Sequence, residues 1–327
     1  MEIELKGSRV LRISVTDRCN LRCVYCMPES GVQLARAEEL LSYEEIELVA
    51  KSAFFAGIKR FRITGGEPLV RKGIVSLVEK LARLNPSDLA LTTNGILLKE
   101  FAHPLKQAGL KRVTISMDTL RKERFEKITR RDDFEKIFDA IESARRAGLE
   151  PVKINTVVIR GINDDEVLDF VRFAEKERMD VRFIELMPMS GLETICKEIG
   201  TWRSSLLVKG NEIRERIEQE IGPLVPADDG EGVAKIFLTS SGARIGFITP
   251  VSERFCAGCQ RLRLGPDGKL RICLFDQKGI DLRKELRERG ADEERLMRIF
   301  REALAEKEFW DRGEMEHNRS EMYKIGG

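Results

Sequence analysis

The sequence lacks a long apolar run and an excess of charge of one sign, and it has only two histidines. No apolar stretch approaches the ~20 residues that cross a bilayer, and residues 1–9 lack the apolar core of a signal peptide. Lys and Arg number 57 and Asp and Glu 55, which leaves a net charge of +2. Nearly balanced charge gives no attraction to polyanionic surfaces. We therefore expect a cytoplasmic protein whose partners include neither membrane nor nucleic acid.

The seven cysteines do not suit a disulfide framework. Their number is odd, and a chain of 327 residues is far longer than the small secreted domains that depend on disulfides. Six of them form two groups of three, and Cys196 stands apart. The first triad is Cys19, Cys23 and Cys26, and the second triad is Cys256, Cys259 and Cys273. Two such triads indicate metal binding.

The first triad has the spacing C-x3-C-x2-C and follows an apolar run at residues 10–15. Three cysteines in one polar loop do not fit core packing. Structural zinc is closed by four ligands, commonly in paired C-x2-C knuckles, and no fourth Cys or His lies nearby. Thiolates are also the ligands of iron–sulfur clusters. We predict a [4Fe-4S] cluster held at three corners, whose fourth iron is open to a small molecule.

The second triad, with Cys256-x2-Cys259-x13-Cys273, also lacks a fourth ligand, since neither histidine lies in a related context. It predicts a second cluster with an open iron. Arg261 and Arg263 follow directly after Cys259, and in a strand they would project from one face. Guanidinium groups suit phosphate oxygens. A solvated basic edge is the alternative, and it is weakened by the position between two cluster ligands.

Strands and helices alternate through the first part of the chain, with glycines at the connections. With 42% apolar residues the chain can bury a sizeable core. The pattern predicts an α/β fold with six strand–helix units, which are too few for a closed eight-fold barrel and fit a partial (β/α)6 barrel. The predicted strands are residues 10–15, 59–64, 89–92, 113–116, 152–159 and 181–186. Helices are predicted from a capping box at Ser42–Glu45 to residue 57, and at 74–84, 96–108, 134–147 and 165–177.

From about residue 187 the alternation ends, and we predict a second domain. The barrel is expected to cover residues 1–190, and a C-terminal α+β domain with the second cluster residues 191–327. Within the latter, Asp267-Gly268 between apolar segments is a strong signal for a hairpin. The other elements expected there are a helix near 212–220, antiparallel strands over 223–249, and two helices near 282–289 and 293–306 that pack back on the barrel.

Several segments follow predicted strands and so fall at the rim where barrel active sites lie. In Gly65-Gly66-Glu67-Pro68, the glycines allow a close approach of the backbone to a ligand, and the carboxylate can accept from an ammonium group. Thr92, Ser116 and Met187 also fall at strand ends. Taken singly, each position fits a turn or cap residue equally well.

Three cations, Arg12, Arg62 and Lys153, lie inside predicted strands. A charged group in an apolar strand is costly unless it meets a partner, although an edge strand can carry one. Together with Arg261 and Arg263, these residues favour a polyanionic substrate such as a triphosphate.

Two motifs resemble those of the radical S-adenosylmethionine (SAM) superfamily. They are the C-x3-C-x2-C triad with Tyr25 before its last cysteine, and the Gly-Gly-Glu-Pro segment. The resemblance implies a partial barrel in which the open iron chelates the amino and carboxylate groups of SAM. An incoming electron would then cleave SAM to a 5′-deoxyadenosyl radical. The residues implied around SAM are Tyr25, Gly65, Gly66, Glu67, Ser116 and Met187.

A closer resemblance is to the GTP 3′,8-cyclases of molybdenum cofactor biosynthesis. It is carried by residues 12–23, 63–71, 153–155, 183–188, 261–264 and 325–327 and runs nearly end to end. It implies that the first cluster cleaves SAM and that the second binds the guanine of GTP. The radical would take the ribose 3′ hydrogen, after which C3′ attacks C8. The implied contacts with GTP are Arg12, Arg62, Thr92, Lys153, Arg261, Leu262 and Arg263.

The same resemblance implies catalytic roles near the C-terminus. Arg261 or Arg263 would assist reduction of the aminyl radical that follows ring closure. Gly326 and Gly327 would enter the active site as an activating tail, although a terminal Gly-Gly can also be an ordinary frayed end. Residues 190–222, with Cys196 and Trp202, do not follow the family pattern and have no assigned role.

Two other functions are left open by the sequence. A radical SAM enzyme that modifies peptides or proteins would usually carry more cysteines near its C-terminus. An iron–sulfur electron carrier would leave the Gly-Gly-Glu-Pro segment and two open irons without a purpose. For the cyclase, the expected partners are GTP and an external electron donor, and the oligomeric state is open, a homodimer included.

Overall fold

The computed structural model describes residues 9–28, 31–188, 204–228 and 232–310. Within these ranges twelve strands form one sheet. In chain order the strands are β1 (Val10–Ser14), β2 (Arg60–Thr64), β3 (Asp88–Thr93), β4 (Arg112–Ser116), β5 (Lys153–Val158), β6 (Asp180–Glu185), β7 (Val225–Ala227), β8 (Lys235–Leu238), β9 (Arg244–Ile248), β10 (Arg261–Leu264), β11 (Lys269–Arg271) and β12 (Ile280–Asp281). The predictions for Cys196, Trp202, Gly326 and Gly327 lie outside the described residues.

Nine α-helices occur in the described part of the chain. They are α1 (Tyr43–Phe55), α2 (Ile74–Ala82), α3 (Leu98–Gln107), α4 (Lys122–Thr129), α5 (Phe134–Arg146), α6 (Val167–Glu177), α7 (Gly210–Glu220), α8 (Leu282–Arg287) and α9 (Glu293–Glu308). Helix α4 was not predicted, because Phe125 and Ile128 are its only large apolar residues and charged residues surround them. None of the described helices is both long and apolar enough to cross a membrane.

The centre of the sheet is parallel and follows the chain. Strands β1 to β6 pair in order, and helices lie between them, so the predicted six strand–helix units are confirmed. Two later strands extend this array, because β10 pairs in parallel with β1 and β9 pairs in parallel with β6. Among the described residues, the parallel array therefore has eight strands.

The antiparallel strands predicted over residues 223–249 are confirmed, and β9 has a further partner outside that range. Strands β7, β8 and β9 are antiparallel to one another, but the other edge of β9 joins β6 in parallel, with Phe247 opposite Phe183. The two ring centroids lie 6.2 Å apart. A local turn signal reveals the hairpin, whereas the partner on the other edge is distant in sequence. The hairpin predicted at Asp267-Gly268 is confirmed by the antiparallel pair β10–β11, and Gly268 has a φ of +81°.

Helix α1 begins at the predicted capping box. The Ser42 hydroxyl accepts from the Glu45 N–H at 3.1 Å, and the Glu45 carboxylate accepts from the Ser42 N–H at 2.7 Å. The C-terminal helices pack back against this region, as expected. Arg287 of α8 donates to the Glu45 carboxylate at 2.6 Å, and Glu293 of α9 pairs with Lys51 of α1 at 2.7 Å.

Alternation along the parallel strands separates an apolar layer from a polar one. In β1, Leu11 and Ile13 are fully buried in the core that also contains Val49 of α1. Burial of each such side chain contributes roughly 1.5–3 kcal/mol. Arg12 lies on the opposite face of β1. On the neighbouring strand β2, the same face carries Thr64, which lines a central cavity. The sequence pattern thus builds a polar interior inside an apolar shell.

Candidate active site

The first triad lies in the loop after β1 and lines a cavity of about 1020 Å³ at the C-terminal ends of β2 to β6. Backbone hydrogen bonds fasten this loop to the end of α4. The Arg22 N–H donates to the Thr129 carbonyl at 3.0 Å, and the Val24 N–H donates to the Ile128 carbonyl at 2.9 Å. The helix that was missed in the sequence therefore holds the cysteine loop in place.

Three arginines support the same loop. Arg22, Arg130 and Arg131 donate to backbone carbonyls within residues 19–27 at distances of 2.7 to 3.4 Å. These contacts satisfy carbonyl groups that have no partner in regular secondary structure. The charge of Arg22 also favours the thiolate form of Cys19.

The thiols of the first triad fit a cluster better than a single ion. Within the described residues, no group of three or more His, Cys, Asp or Glu side chains converges so as to hold one metal ion. A cubane cluster does not require this, since each thiolate binds a different iron. Burial raises the pKa of Cys19 to about 11 and that of Cys26 to about 12. Ionisation of these thiols therefore calls for strong positive charge, which coordinated iron supplies.

The Gly65-Gly66 segment packs directly against the cysteine loop. The Gly66 N–H donates to the Thr16 carbonyl and the Glu67 N–H to the Arg18 carbonyl, both at 2.7 Å. A Cβ on Gly66 would lie 2.4 Å from the Arg18 carbonyl oxygen, and one on Gly65 would lie 3.0 Å from that of Thr16. Both residues line the cavity. The glycines therefore allow two backbones and a ligand to approach one another closely.

Glu67 is buried behind this segment and is not among the described residues that line the cavity. Its carboxylate accepts from the Leu69 N–H at 3.0 Å, the Thr93 hydroxyl at 2.8 Å and the Asn94 N–H at 2.7 Å. Burial raises its pKa to about 7. Three of about four acceptor positions are thus in use inside the protein. The contact of Glu67 with an ammonium group stays a prediction, and its observed contacts hold the loop against β3.

Two further polar residues at strand ends stabilise the rim. Asp118 follows β4, where its carboxylate accepts from the Tyr25 hydroxyl at 2.5 Å and from the Val157 N–H at 2.8 Å. Asn94 follows β3, and its side-chain nitrogen lies 3.8 Å from the Cys19 sulfur. The available signal was their position, because polar residues just after parallel strands meet at one edge of the sheet.

Thr92, Ser116 and Met187 all line the first cavity. The Thr92 hydroxyl and the side-chain oxygen of Asn155 are buried atoms without a hydrogen-bond partner among the described residues. Buried polar atoms in this condition are rare and call for an explanation. A bound ligand would supply the missing partner, and the roles predicted for these residues toward SAM or GTP stay predictions.

The second triad lines a separate cavity of about 630 Å³, and Arg261 and Arg263 of β10 line it too. Burial alone would raise the pKa of Cys259, but the charges of Arg261 and Lys307 lower it to about 6. The Arg261 Nε donates to the Cys259 sulfur at 3.4 Å. Lys307 of α9 was not predicted, because a lysine on a charged helix carries no signal of burial. These cations favour the thiolate form that a cluster requires.

Leu262, which lies between Arg261 and Arg263, does not line the second cavity. Its side chain is fully buried in the core, opposite Leu11 of β1. Alternation directs it away from the cavity that Arg261 and Arg263 line. The implied contact of the Leu262 side chain with GTP therefore does not fit this geometry.

Arg263, Arg12 and Arg62 occupy facing positions on three neighbouring strands. Burial and repulsion by nearby arginines lower the pKa of Arg12 well below its ordinary value, that of Arg62 to about 9 and that of Arg263 to about 10. A bound anion would relieve this repulsion. The ammonium group of Lys153, the remaining predicted cation of these strands, pairs with Asp180 at 3.2 Å.

Arg182 of β6 is a further cation on the inner face, although it was not selected from the sequence. It lies opposite Gly246 of β9, where a Cβ would come within 2.9 Å of the Arg182 Cγ. Glycine thus makes room for the arginine side chain. The signal that selected Arg12 and Arg62, a cation inside an apolar strand, applied here as well.

The two cavities adjoin at Met187, which follows β6 and lines both. A ligand that extends from one cavity into the other would meet a cysteine triad at each end. Arg263 lines the second cavity, and Arg12 and Arg62 continue its row across the sheet. The arrangement suits a small polyanionic molecule positioned between the two cysteine triads.

Comparison with known proteins identifies the family to which this fold and site belong. The family model of the radical SAM superfamily matches residues 13–174, and the model described as Molybdenum Cofactor Synthesis C matches residues 179–310. A GTP 3′,8-cyclase of Pelotomaculum thermopropionicum is 47% identical over 97% of each chain. Another, of Moorella thermoacetica, is 49% identical over 90% of each chain. This chain belongs to the GTP 3′,8-cyclase family.

Solved structures share the fold of this cyclase family member. SuiB of Streptococcus suis bound to SAM superposes with a TM-score of 0.64 at 16% identity, covering 90% of this chain and 68% of that one. Methylornithine synthase gives a TM-score of 0.51 at 17% identity, covering 64% of this chain and 62% of that one. At such identities the likeness establishes the fold alone, which is the predicted radical SAM partial barrel. Membership in the radical SAM superfamily implies a [4Fe-4S] cluster and SAM as cofactors.

Proposed function

We propose that the protein converts GTP to (8S)-3′,8-cyclo-7,8-dihydroguanosine 5′-triphosphate, the first step of molybdenum cofactor biosynthesis. Membership in the GTP 3′,8-cyclase family supports this reaction. The structural observation that carries it is the pair of adjoining cavities, each with its own cysteine triad. One cavity suits a source of radicals, and the other suits the base of the substrate.

The first triad would hold a [4Fe-4S] cluster with one open iron. When bound there, the cluster and SAM supply a carbon radical able to remove a hydrogen atom. Gly65 and Gly66 line the cavity without side chains, so the amino acid end of SAM can approach their backbone. Asp118 fixes the ring of Tyr25 through its hydrogen bond, and Ser116 lines the same cavity. We assign these residues to SAM binding.

The second triad would hold a second [4Fe-4S] cluster, with its open iron toward the guanine base. Phe255 and Phe275 give this cavity aromatic walls, against which a flat base can stack. With the base there, the ribose would lie toward Met187 and the first cavity. C3′ would then face the radical source while C8 stays within reach for ring closure.

The triphosphate is assigned to the buried cations of the inner face. Arg62 and Arg263 both repel Arg12, and phosphate oxygens would attract all three guanidinium groups. Lys153 can add a further ammonium group if phosphate competes with Asp180 for it. The Thr92 hydroxyl, at the rim above β3, is free of hydrogen bonds within the described residues and is assigned to the same substrate.

Balance of the reaction requires one electron and one proton after ring closure, because the 3′ hydrogen leaves with 5′-deoxyadenosine. Arg261 or Arg263 is assigned to assist this reduction, since both line the cavity of the second triad. An external electron donor supplies the electrons. Gly326 and Gly327, which lie outside the described residues, are assigned to an activating tail that enters the site.

An anaerobic assay of iron-reconstituted, dithionite-reduced protein tests the proposal, with SAM and each nucleoside triphosphate in turn. We expect GTP alone to stimulate release of 5′-deoxyadenosine and to yield a cyclised product of unchanged mass. SAM cleavage indifferent to GTP would move the substrate to a peptide or another molecule. No SAM cleavage by fully iron-loaded protein would favour an electron carrier. Cys259→Ser should abolish the product, and Cys196→Ser, outside both triads, is the matched control that should retain it.

A further inference from the structure

Two hydrogen-bond donors of the second cavity have no role in the reaction described so far. Trp310 follows α9, and its indole N–H is buried without a hydrogen-bond partner among the described residues. Lys307 is 6% exposed and donates to the Ile272 carbonyl at 2.5 Å. An ammonium group has three donor positions and an indole has one, and neither group can accept. The cavity therefore offers donors to a ligand.

The rest of the lining adds to this donor character. Besides the three thiols, the described side chains around the cavity are apolar or cationic, and none of them is a carboxylate, carboxamide or hydroxyl. Phe255 and Phe275 belong to the apolar part, and Arg261 and Arg263 to the cationic part. A ligand that fits must be flat enough for aromatic walls and must present acceptors at its edge.

Guanine and adenine differ in the hydrogen-bonding groups at the edge that these donors would contact. Guanine presents two acceptors there, N7 and O6, whereas adenine presents the acceptor N7 beside a donor amino group. We propose that Lys307 and Trp310 are specificity-determining residues that select guanine by donating to its N7 and O6 edge. Adenine would set its amino group against donors and lose affinity. The inference rests on the proposed function, because it requires a purine triphosphate in the second cavity.

The placement of the two residues suits recognition. Lys307 is anchored to Ile272, the direct neighbour of Cys273, so its position relative to the second triad is fixed. Lys307 lies in the last turn of α9 and Trp310 just beyond it, and the packing of α9 against α1 includes the ion pair between Glu293 and Lys51. A buried ammonium and a buried N–H that lack full pairing are costly in the free protein. A base that accepts from both would offset this cost.

Equilibrium dialysis of cluster-loaded protein with GTP, ITP and ATP tests the proposal in two variants. Trp310→Phe keeps the aromatic ring and removes the N–H, and Lys307→Met keeps the stem and removes the charge. We expect the Kd of GTP and of ITP, which both carry N7 and O6, to rise about fivefold in Trp310→Phe and about tenfold or more in Lys307→Met. The Kd of ATP should stay unchanged or fall. 7-deaza-GTP lacks the N7 acceptor. Substitution of the residue that donates to N7 should therefore leave the Kd of 7-deaza-GTP unchanged.

Two matched controls accompany these variants. Phe309→Leu changes the neighbouring aromatic residue, which is 88% exposed, and Lys278→Met changes an exposed lysine near the second triad. Both should bind GTP like the wild type, and iron content and thermal unfolding verify intact clusters and fold. An unchanged Kd for GTP in both test variants, or an equal loss for GTP and ATP, would overturn the proposal. Wild-type protein that binds no GTP in preference to ATP would instead refute the proposed function itself.

Discussion

The Tyr25 hydroxyl donates a hydrogen bond to the Asp118 carboxylate across an oxygen–oxygen distance of 2.5 Å. Asp118 also accepts from the Val157 N–H, so one buried carboxylate connects the cysteine loop with the ends of β4 and β5. Burial raises the pKa of Asp118 to about 6. The connection holds the loop of the first triad on the barrel rim, and we predict that Asp118 thereby positions the site for SAM.

Asp118→Asn should weaken SAM binding about tenfold while iron content stays unchanged. The amide keeps the shape of the carboxylate but offers one acceptor oxygen to two donors, so either Tyr25 or Val157 loses its partner. Equilibrium dialysis with SAM measures the effect. Asp139→Asn, an exposed carboxylate paired with Lys99, is the control. Wild-type SAM affinity in Asp118→Asn would show that the Tyr25 contact does not position the site.

Substitutions in the glycine pair should differ in severity. A Cβ on Gly66 would lie 2.4 Å from the Arg18 carbonyl oxygen, whereas one on Gly65 would lie 3.0 Å from that of Thr16. Gly66→Ala must therefore displace the cysteine loop, and Gly65→Ala needs only a small adjustment. We expect Gly66→Ala to lose most of the iron of the first cluster and the SAM cleavage, and Gly65→Ala to keep the iron with reduced SAM affinity. Iron analysis and SAM cleavage measure both, and equal effects would contradict the role given to close packing.

Glu67 should make stability depend on pH. Burial raises its pKa from 4.5 to about 7, so the folded state keeps a proton that the unfolded chain releases in this range. The stabilisation is complete below pH 4.5 and is lost as the pH rises through 7. Relative to Glu67→Gln, the free energy of unfolding should fall by about 3 kcal/mol across the window. Urea unfolding of iron-free protein at several pH values measures this, and parallel profiles for the two proteins would refute it.

Arg12→Met should separate substrate binding from stability. It removes a buried cation that lies beside Arg263 and Arg62, so the free energy of unfolding reports its effect on the fold and the KM its effect on the substrate. The KM for GTP should rise about tenfold or more, because a charged contact with phosphate is lost. Arg146→Met removes an exposed arginine and should change neither quantity. A less stable variant with an unchanged KM would mean that Arg12 serves the fold alone.

The parallel core and both triads could be predicted because each depends on a local pattern. Alternation around Arg12 and Leu11 identifies a strand with one apolar face, and the spacing of the cysteines predicts the cluster ligands. The pairing of β9 with β6 could not be predicted in this way. It depends on Phe247 meeting Phe183 across distant segments, and no local signal encodes that contact.

The same holds for the site, where motif residues can be recognised in the sequence but contacts between distant segments cannot. The position of Glu67 in its motif is visible in the sequence, but the use of its oxygens by Thr93 and Asn94 depends on the neighbouring strand. The contact of Leu262 with GTP stays a prediction, and alternation, which buries its side chain in the core, leaves only its backbone for such a contact. The position of Lys307 in the second cavity depends on how α9 packs beside the second triad, and this packing has no local signal in the sequence.

The most direct test of the central claim follows one hydrogen atom. Reduced, iron-loaded protein would be incubated with SAM and GTP carrying deuterium at C3′, and 5′-deoxyadenosine and the nucleotide product analysed by mass spectrometry. The proposed geometry, with the ribose between the two cavities, predicts one deuterium in 5′-deoxyadenosine and a cyclised product that has lost it. Unlabelled 5′-deoxyadenosine, formed at the same rate with and without GTP, would contradict the claim that GTP bridges the two cysteine triads.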